Sequence, residues 1–146
     1  MLYSSRTGNT ELMVKEMLQQ LKVYPYQVVT KKFDSDSIDV KELLRYDAIF
    51  IGVYTWAAGD LPLAVEDFYD DLYNIDLNGK VCGVFGSADT SYEDLYGLAV
   101  DLMFDELKGS GATMIQDKII ADLEPTSAEL KRCRTVVDTA IKMIEK

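Results

Sequence analysis

Tyr3-Ser4-Ser5-Arg6-Thr7-Gly8-Asn9-Thr10 is the stretch on which the reading of this chain turns. One strand-like residue gives way to seven small or polar ones, and an amphipathic run follows from Glu11 to Leu21. Val14, Met17, Leu18 and Leu21 keep the i, i+3, i+4, i+7 spacing of one helix face. A hydroxyl-rich loop with one glycine, opening into a helix, is a natural anion site. The first N–H groups of the helix lack intrahelical partners, and the dipole favours negative charge there. Ser5, Thr7 and Thr10 add hydroxyl donors, and Gly8 can take a positive φ. The stretch lacks the lysine of a P-loop and the three-glycine spacing of a dinucleotide loop, so a nucleoside triphosphate or NAD is not the obvious ligand. A threonine-capped helix start would read the same, so this loop alone does not define a ligand.

Outward from that stretch, apolar strand candidates alternate with helical patterns. Residues 26–33 are β-branched and alternating, and 40–45 form a short helix candidate. Residues 47–54 contain Ala-Ile-Phe-Ile-Gly-Val, a run of the kind buried on both faces. Pro62 suits the first turn of a helix with Val65, Phe68, Tyr69 and Leu72 inward. Residues 80–87 are a second buried strand, and 94–108 a helix stopped by Gly109 and Gly111. Residues 112–120 are the last strand candidate. Thr126 and Glu129 then make a capping box for a final helix, with Leu130, Cys133, Val137, Ala140, Ile141 and Ile144 as its buried stripe. Strict β-α alternation predicts a parallel sheet with right-handed crossovers and helices on both faces. Ligands of such sheets bind beyond the carboxyl ends of the strands, which directs attention to residues 4–9, 54–61 and 87–93.

A chain of 146 residues is expected to be one domain that buries roughly two thirds of its unfolded surface. No run is apolar enough to span a membrane and no basic-then-apolar leader is seen, so the cytoplasm is the expected compartment. Cys82 and Cys133 lie far apart without a zinc or CxxC pattern and read as buried thiols. The chain has no histidine, which removes Ser-His and Cys-His nucleophiles and most transition-metal sites. Net charge is −10 and unevenly placed: residues 46–107 hold thirteen acids and one base, Lys80. A solubilising surface is the commoner meaning of acidic charge, but solubility needs no such concentration. The acidic middle argues against nucleic acid and for a basic protein partner.

The loop after the third strand reads Tyr54-Thr55-Trp56-Ala57-Ala58-Gly59-Asp60-Leu61-Pro62, and that after the fourth Ser87-Ala88-Asp89-Thr90-Ser91-Tyr92-Glu93. Each puts an aromatic among small or polar residues at a strand's carboxyl end. Trp56 and Tyr92 suit a flat ring stacked between them, with the anion loop beside the slot for a phosphate tail. Taken together, Ser5-Arg6-Thr7-Gly8-Asn9-Thr10, Thr55-Trp56 and Asp89-Thr90-Ser91-Tyr92 resemble the three FMN loops of flavodoxins, and the resemblance covers essentially the whole chain. It implies a short-chain, flavodoxin-like three-layer α/β/α sandwich with a five-stranded parallel sheet. The order 2-1-3-4-5 comes with the resemblance, flavodoxin being the type example of it.

By that resemblance, residues Ser5, Arg6, Thr7, Gly8, Asn9 and Thr10 hold the FMN phosphate, with Arg6 as well suited to solvent. Trp56 covers one isoalloxazine face and Tyr92 the other, and Asp89 bonds the pyrimidine end. Tyr54 and Thr55 line the ribityl side, Ser87 and Ala88 the ring edge, and the peptide after Trp56, at Ala57, meets the flavin N5. The implied role is a monomeric, low-potential one-electron carrier that shuttles FMN between semiquinone and hydroquinone. It is not an enzyme, and its basic redox partners, such as a flavodoxin or ferredoxin reductase and acceptor enzymes, dock on the acidic face. Asp60, Asp67, Asp70, Asp89, Glu93 and Asp94 lie on or just after the ring loops, where they disfavour an anionic reduced ring.

Two departures stand out. Ala57 and Ala58 follow Trp56 where the family commonly has glycine and then an acid. Alanine costs roughly 1 kcal/mol where φ is positive, which predicts a less stabilised semiquinone. Loss of the acid at position 58 eases hydroquinone formation slightly. In addition, only Met1, Leu2 and Tyr3 precede the phosphate loop, fewer apolar residues than the family usually has. Either further residues complete that strand, or it is short and its neighbours' backbone groups lose partners. Two other classes compete: an NAD(P)H-dependent FMN quinone reductase, for which no insertion builds a substrate pocket, and a phosphoacceptor domain. The latter needs clustered acids where Ser4 and Ser5 stand.

Overall fold

β3 (Ala48–Gly52) and β4 (Val81–Ala88) form the middle of the sheet, because their nearly unbroken apolar runs can be covered on both faces. The computed structural model describes residues 1–55, 60–89 and 96–146. β1 (Leu2–Tyr3) lies between β2 (Lys31–Lys32) and β3. β4 pairs with β5 (Thr113–Met114) at its start and β6 (Ile119–Asp122) at its end. Every pairing is parallel and the order is β2-β1-β3-β4-β5, the order expected from the resemblance.

Helices cover both faces. α1 (Asn9–Leu21) and α4 (Ser127–Ile144) supply Met13, Met17, Cys133, Val137 and Ala140 to one core, against Phe50 and Phe85. α2 (Leu63–Asp71) and α3 (Leu98–Gly109) supply Val65, Phe68, Met103 and Leu107 to the other, against Ile49, Ile51 and Val84. The capping box of α4 is formed: Glu129 N–H donates to Thr126 Oγ1 at 3.4 Å, and Thr126 N–H to Glu129 Oε1 at 3.0 Å.

Several expected boundaries move for local reasons. The strand expected over 26–33 pairs only at Lys31–Lys32, because β1 is two residues long and offers nothing opposite the earlier part. Residues 112–120 are not one strand but two, β5 and β6, both laid on β4. The short helix at Val40–Arg45 is a 3-10 helix, capped by Asp39 accepting from Lys41 N–H at 3.0 Å. Pro62 precedes the first turn of α2 rather than entering it. α1 buries Met13 fully, while Leu18 is only half-buried. The expected start of the 94–108 helix lies outside the described residues; α3 is described from Leu98, behind Gly97 at φ 71°. No helix among the described residues is long and apolar enough to cross a membrane.

Candidate functional site

The order of the sheet makes β1 and β3 neighbours whose chains leave toward opposite faces, α1 on one and α2 on the other. The loops at the carboxyl ends of β1, β3 and β4 therefore converge at this switch point. After Tyr3 the chain stays in the sheet for one more residue, Ser4, whose N–H donates to the Gly52 carbonyl at 3.0 Å. It then turns through Ser5–Gly8 into α1.

Gly8 is the N-cap of α1 and holds φ 91°, a left-handed conformation that side chains resist. A Cβ there would meet nothing within 4 Å, so the demand for glycine is conformational rather than steric. Gly8, as N-cap, has no side chain to satisfy the first turn. Helix geometry leaves Asn9 and Thr10 N–H without an intrahelical acceptor, while Glu11 N–H donates to Ser5 Oγ at 3.2 Å. Ser5, Gly8 and Asn9 are half-buried, and Arg6 and Thr7 are exposed. This loop fits an anion.

Thr10 behaves differently from its neighbours. It is 1 % exposed, and its Oγ1 lies 2.9 Å from Ser87 Oγ, itself 6 % exposed. The hydroxyl counted as a loop donor is engaged inside the protein, tying the start of α1 to the end of β4. Ser87 also accepts Thr55 N–H through its carbonyl at 3.0 Å. One residue thus links all three loops. Thr55 Oγ1 in turn accepts Ala99 N–H at 3.3 Å, holding the first turn of α3.

Tyr54 is half-buried, and its phenol is pushed above the ordinary range mainly by burial; Asp34 adds to the rise and the Arg6 guanidinium opposes it. Arg6 therefore sits within electrostatic reach of Tyr54 and Asp34, on the loop's outer side. Tyr3 OH donates to Glu11 Oε1 at 3.1 Å, and burial, followed by that bond, raises the Tyr3 phenol. Ala88 is buried and its carbonyl accepts Leu123 N–H at 2.7 Å; Leu123 takes φ 56°, the one described non-glycine residue with positive φ. Asp89 is half-buried beside it. Trp56, Ala57 and Tyr92 lie outside the described residues, as do Ala58, Glu93 and Asp94.

Two glycines that support the site escape a motif search. A Cβ on Gly52 would fall 2.6 Å from the Phe85 ring and 3.1 Å from Thr10 Cγ2, so this glycine lets α1 lie close on the sheet. A Cβ on Gly86 would fall 1.7 Å from the Val53 carbonyl oxygen. The available signal is a glycine inside an otherwise apolar strand, which marks close backbone approach. The cysteines play no part: Cys82 and Cys133 are buried and burial pushes both thiols up to about 12. No described group of acids and cysteines could hold a metal ion.

The fold and site define a doubly wound α/β protein with an anion-type loop at its switch point. The flavodoxin family model matches residues 1–135. Probable flavodoxin 1 of Bacillus subtilis (strain 168) is 35% identical over 136 residues, covering 90% of this chain and 82% of the relative. Oxidised flavodoxin 1 from Bacillus cereus superposes with a TM-score of 0.89 at 33% identity, covering 97% of this chain and 95% of that one. A short-chain flavodoxin associated with a bacterial microcompartment gives 0.90 at 31% identity, covering 98% and 95%. The chain belongs to the flavodoxin family, whose members are FMN-binding electron carriers.

Proposed function

We propose that this chain is a low-potential carrier of single electrons that holds FMN non-covalently. The observation that carries the reading is the Ser5–Thr10 turn: left-handed at Gly8, opening into α1, and linked through Ser87 to the two loops assigned to the ring. Asn9 and Thr10 N–H, with the Ser5 and Thr7 region, would hold the phosphate dianion at the positive end of α1. FMN held there would supply the chemistry of one-electron transfer.

The chain's own residues set the environment of that exchange. Thr10 and Ser87 satisfy each other inside the protein and tie the phosphate-side turn to the end of β4. Asp89 places a carboxylate at the third loop, which disfavours an added electron on a neighbouring ring. Asp60, Glu66, Asp67, Asp70 and Asp71 are exposed on and after the second loop. They form the surface to which basic redox proteins dock, an attraction that salt screens over about 10 Å at 0.1 M.

Purified protein should be yellow and contain equimolar FMN, and its stepwise reduction should pass through a one-electron form. Colourless protein that refuses added FMN defeats the reading. NADPH oxidation by the isolated protein at enzyme-like rates would replace it with the quinone-reductase reading. Electron exchange with a basic partner should slow as ionic strength rises; a rate indifferent to salt removes the docking surface.

A further inference from the structure

Leu123 holds its φ of 56° directly after Asp122, the last residue of β6, which lies opposite Ala88 at the end of β4. The turn serves a bond. Leu123 N–H donates to the Ala88 carbonyl at 2.7 Å and fastens the chain where the third loop leaves the sheet. That bond asks for a left-handed backbone and not for a leucine. Glycine takes the conformation freely and asparagine readily, whereas a bulky side chain resists it.

Burial does not account for the leucine either. Leu123 is 52 % exposed and belongs to neither core. Single exposed apolar residues are ordinary on a protein surface; what sets Leu123 apart is the backbone in which it is held. Strain kept at an exposed apolar residue beside a ligand loop argues for a use outside the fold.

A second leucine stands in the same relation to the second loop. Leu63 is the first residue of α2, is 84 % exposed and belongs to neither core. Because β3, β4 and β6 run parallel, both leucines lie at the carboxyl end of the sheet, one behind each loop assigned to the ring. Their surroundings are acidic. Asp60, Glu66 and Asp67 are exposed on either side of Leu63, Asp122 and Glu124 flank Leu123, and Asp89 is half-buried next to Ala88. An apolar contact rimmed by one sign of charge is the anatomy of a protein interface. A second copy of this chain would bring carboxylates against carboxylates, so the charge selects a basic partner.

We propose that Leu123, together with Leu63, is the apolar contact that holds a basic redox protein once the acidic surface has drawn it in. The inference rests on the electron-carrier reading. The partner it fits has apolar side chains ringed by lysine and arginine. Charge sets how often the two proteins meet and the leucines how closely they fit, so the two contributions separate in their response to salt.

The test uses FMN-loaded protein, reduced with dithionite, freed of excess and mixed with oxidised cytochrome c, a basic haem protein. One electron passes from the reduced flavin to the ferric haem, which becomes ferrous. At about 0.5 M salt, where surface charges are largely screened, Leu123→Asn and Leu63→Ser should each slow the transfer roughly fivefold and leave its salt dependence unchanged. Asp67→Asn should do the reverse, weakening the salt dependence and sparing the high-salt rate. Leu123→Asn should reduce hexacyanoferrate(III), which needs no docking surface, at the unmodified rate. Its Tm should hold or rise by about 2 °C, since asparagine suits the left-handed backbone. An unchanged high-salt rate with cytochrome c in either leucine variant overturns the proposal. So does an equal loss with hexacyanoferrate(III), which would put the effect in the flavin site, or a fall in the Leu123→Asn Tm of more than about 4 °C, which would give the leucine a place in the fold. Protein that takes up no FMN removes the carrier reading and this inference with it, whereas yellow leucine variants with unmodified rates remove this inference alone.

Discussion

The two ends of β1 differ more than any other pair of neighbouring regions. At its carboxyl end the sheet is tied: Ser4 to Gly52, Thr10 to Ser87, Ser87 to Thr55, Thr55 to Ala99. At its amino end, one residue earlier than Leu2, it opens into an apolar cleft with a buried ammonium at its mouth. The same two-residue strand serves both. The ligand end is held by side chains and close backbone contacts brought in from β3 and β4, so it does not depend on the length of β1. The amino end depends on that length alone. A binding site built from several loops can thus stay ordered beside a two-residue strand.

The largest way to break this contrast is Gly86→Ala. Its Cβ would lie 1.7 Å from the Val53 carbonyl oxygen, and backbone cannot swing aside as a side chain can. A loss of about 3 kcal/mol or more in urea unfolding is expected. A loss below about 1 kcal/mol would show that β3 and β4 are not in close contact there.

Thr10→Val comes next. It keeps the shape but leaves the Ser87 hydroxyl buried without its partner, for a loss of about 2 kcal/mol and weaker FMN retention. Adding Ser87→Ala should recover part of the loss, and strict additivity in the double-mutant cycle would deny the coupling.

The amino end has a pH signature of similar size. The Met1 ammonium has a folded-state pKa of about 6 against an ordinary 8.0, so between those values the unfolded chain binds more protons. Stability should therefore rise with pH from 6 to 8, by about 2 kcal/mol in all, and level off above 8. Extending the chain through an amide at Met1 should flatten that rise. An equal slope in the extended protein would place its origin elsewhere.

Gly8→Ala should cost about 1–2 kcal/mol through φ alone, since the space around it is open, and loosen FMN through the same turn. Isothermal titration with FMN separates the two effects. The smallest expected change is Ala57→Gly, which should raise the semiquinone yield by at most about 1 kcal/mol of stabilisation in a redox titration.

The helices and the two long strands were legible because burial on one stripe or on both faces leaves a period in the sequence. Val65, Phe68 and Leu72 on the α2 side, and the α4 stripe from Cys133 to Ile141, sit inside as their spacing predicts. The loop from Ser5 to Thr10 was legible from its composition. The split of 112–120 into β5 and β6 was not, because both halves are equally apolar and only pairing with β4 separates them. The inward turn of Thr10 was hidden for a related reason. A hydroxyl offered to a ligand and one offered to Ser87 are the same residue in a sequence.

By itself, the order of residues determined the alternation of strands and helices, the glycine-led turn into α1 and the acidic middle of the chain. These follow from local chemistry and periodicity, which need no partner to be seen. Only the tertiary structure decided that Ser87 gathers the three loops, that Gly52 and Gly86 make room for it, and that a cleft opens at the amino ends of β1 and β3. Each of these is a relation between residues distant in the chain, set by the register of parallel strands, and register is a property of the assembled sheet.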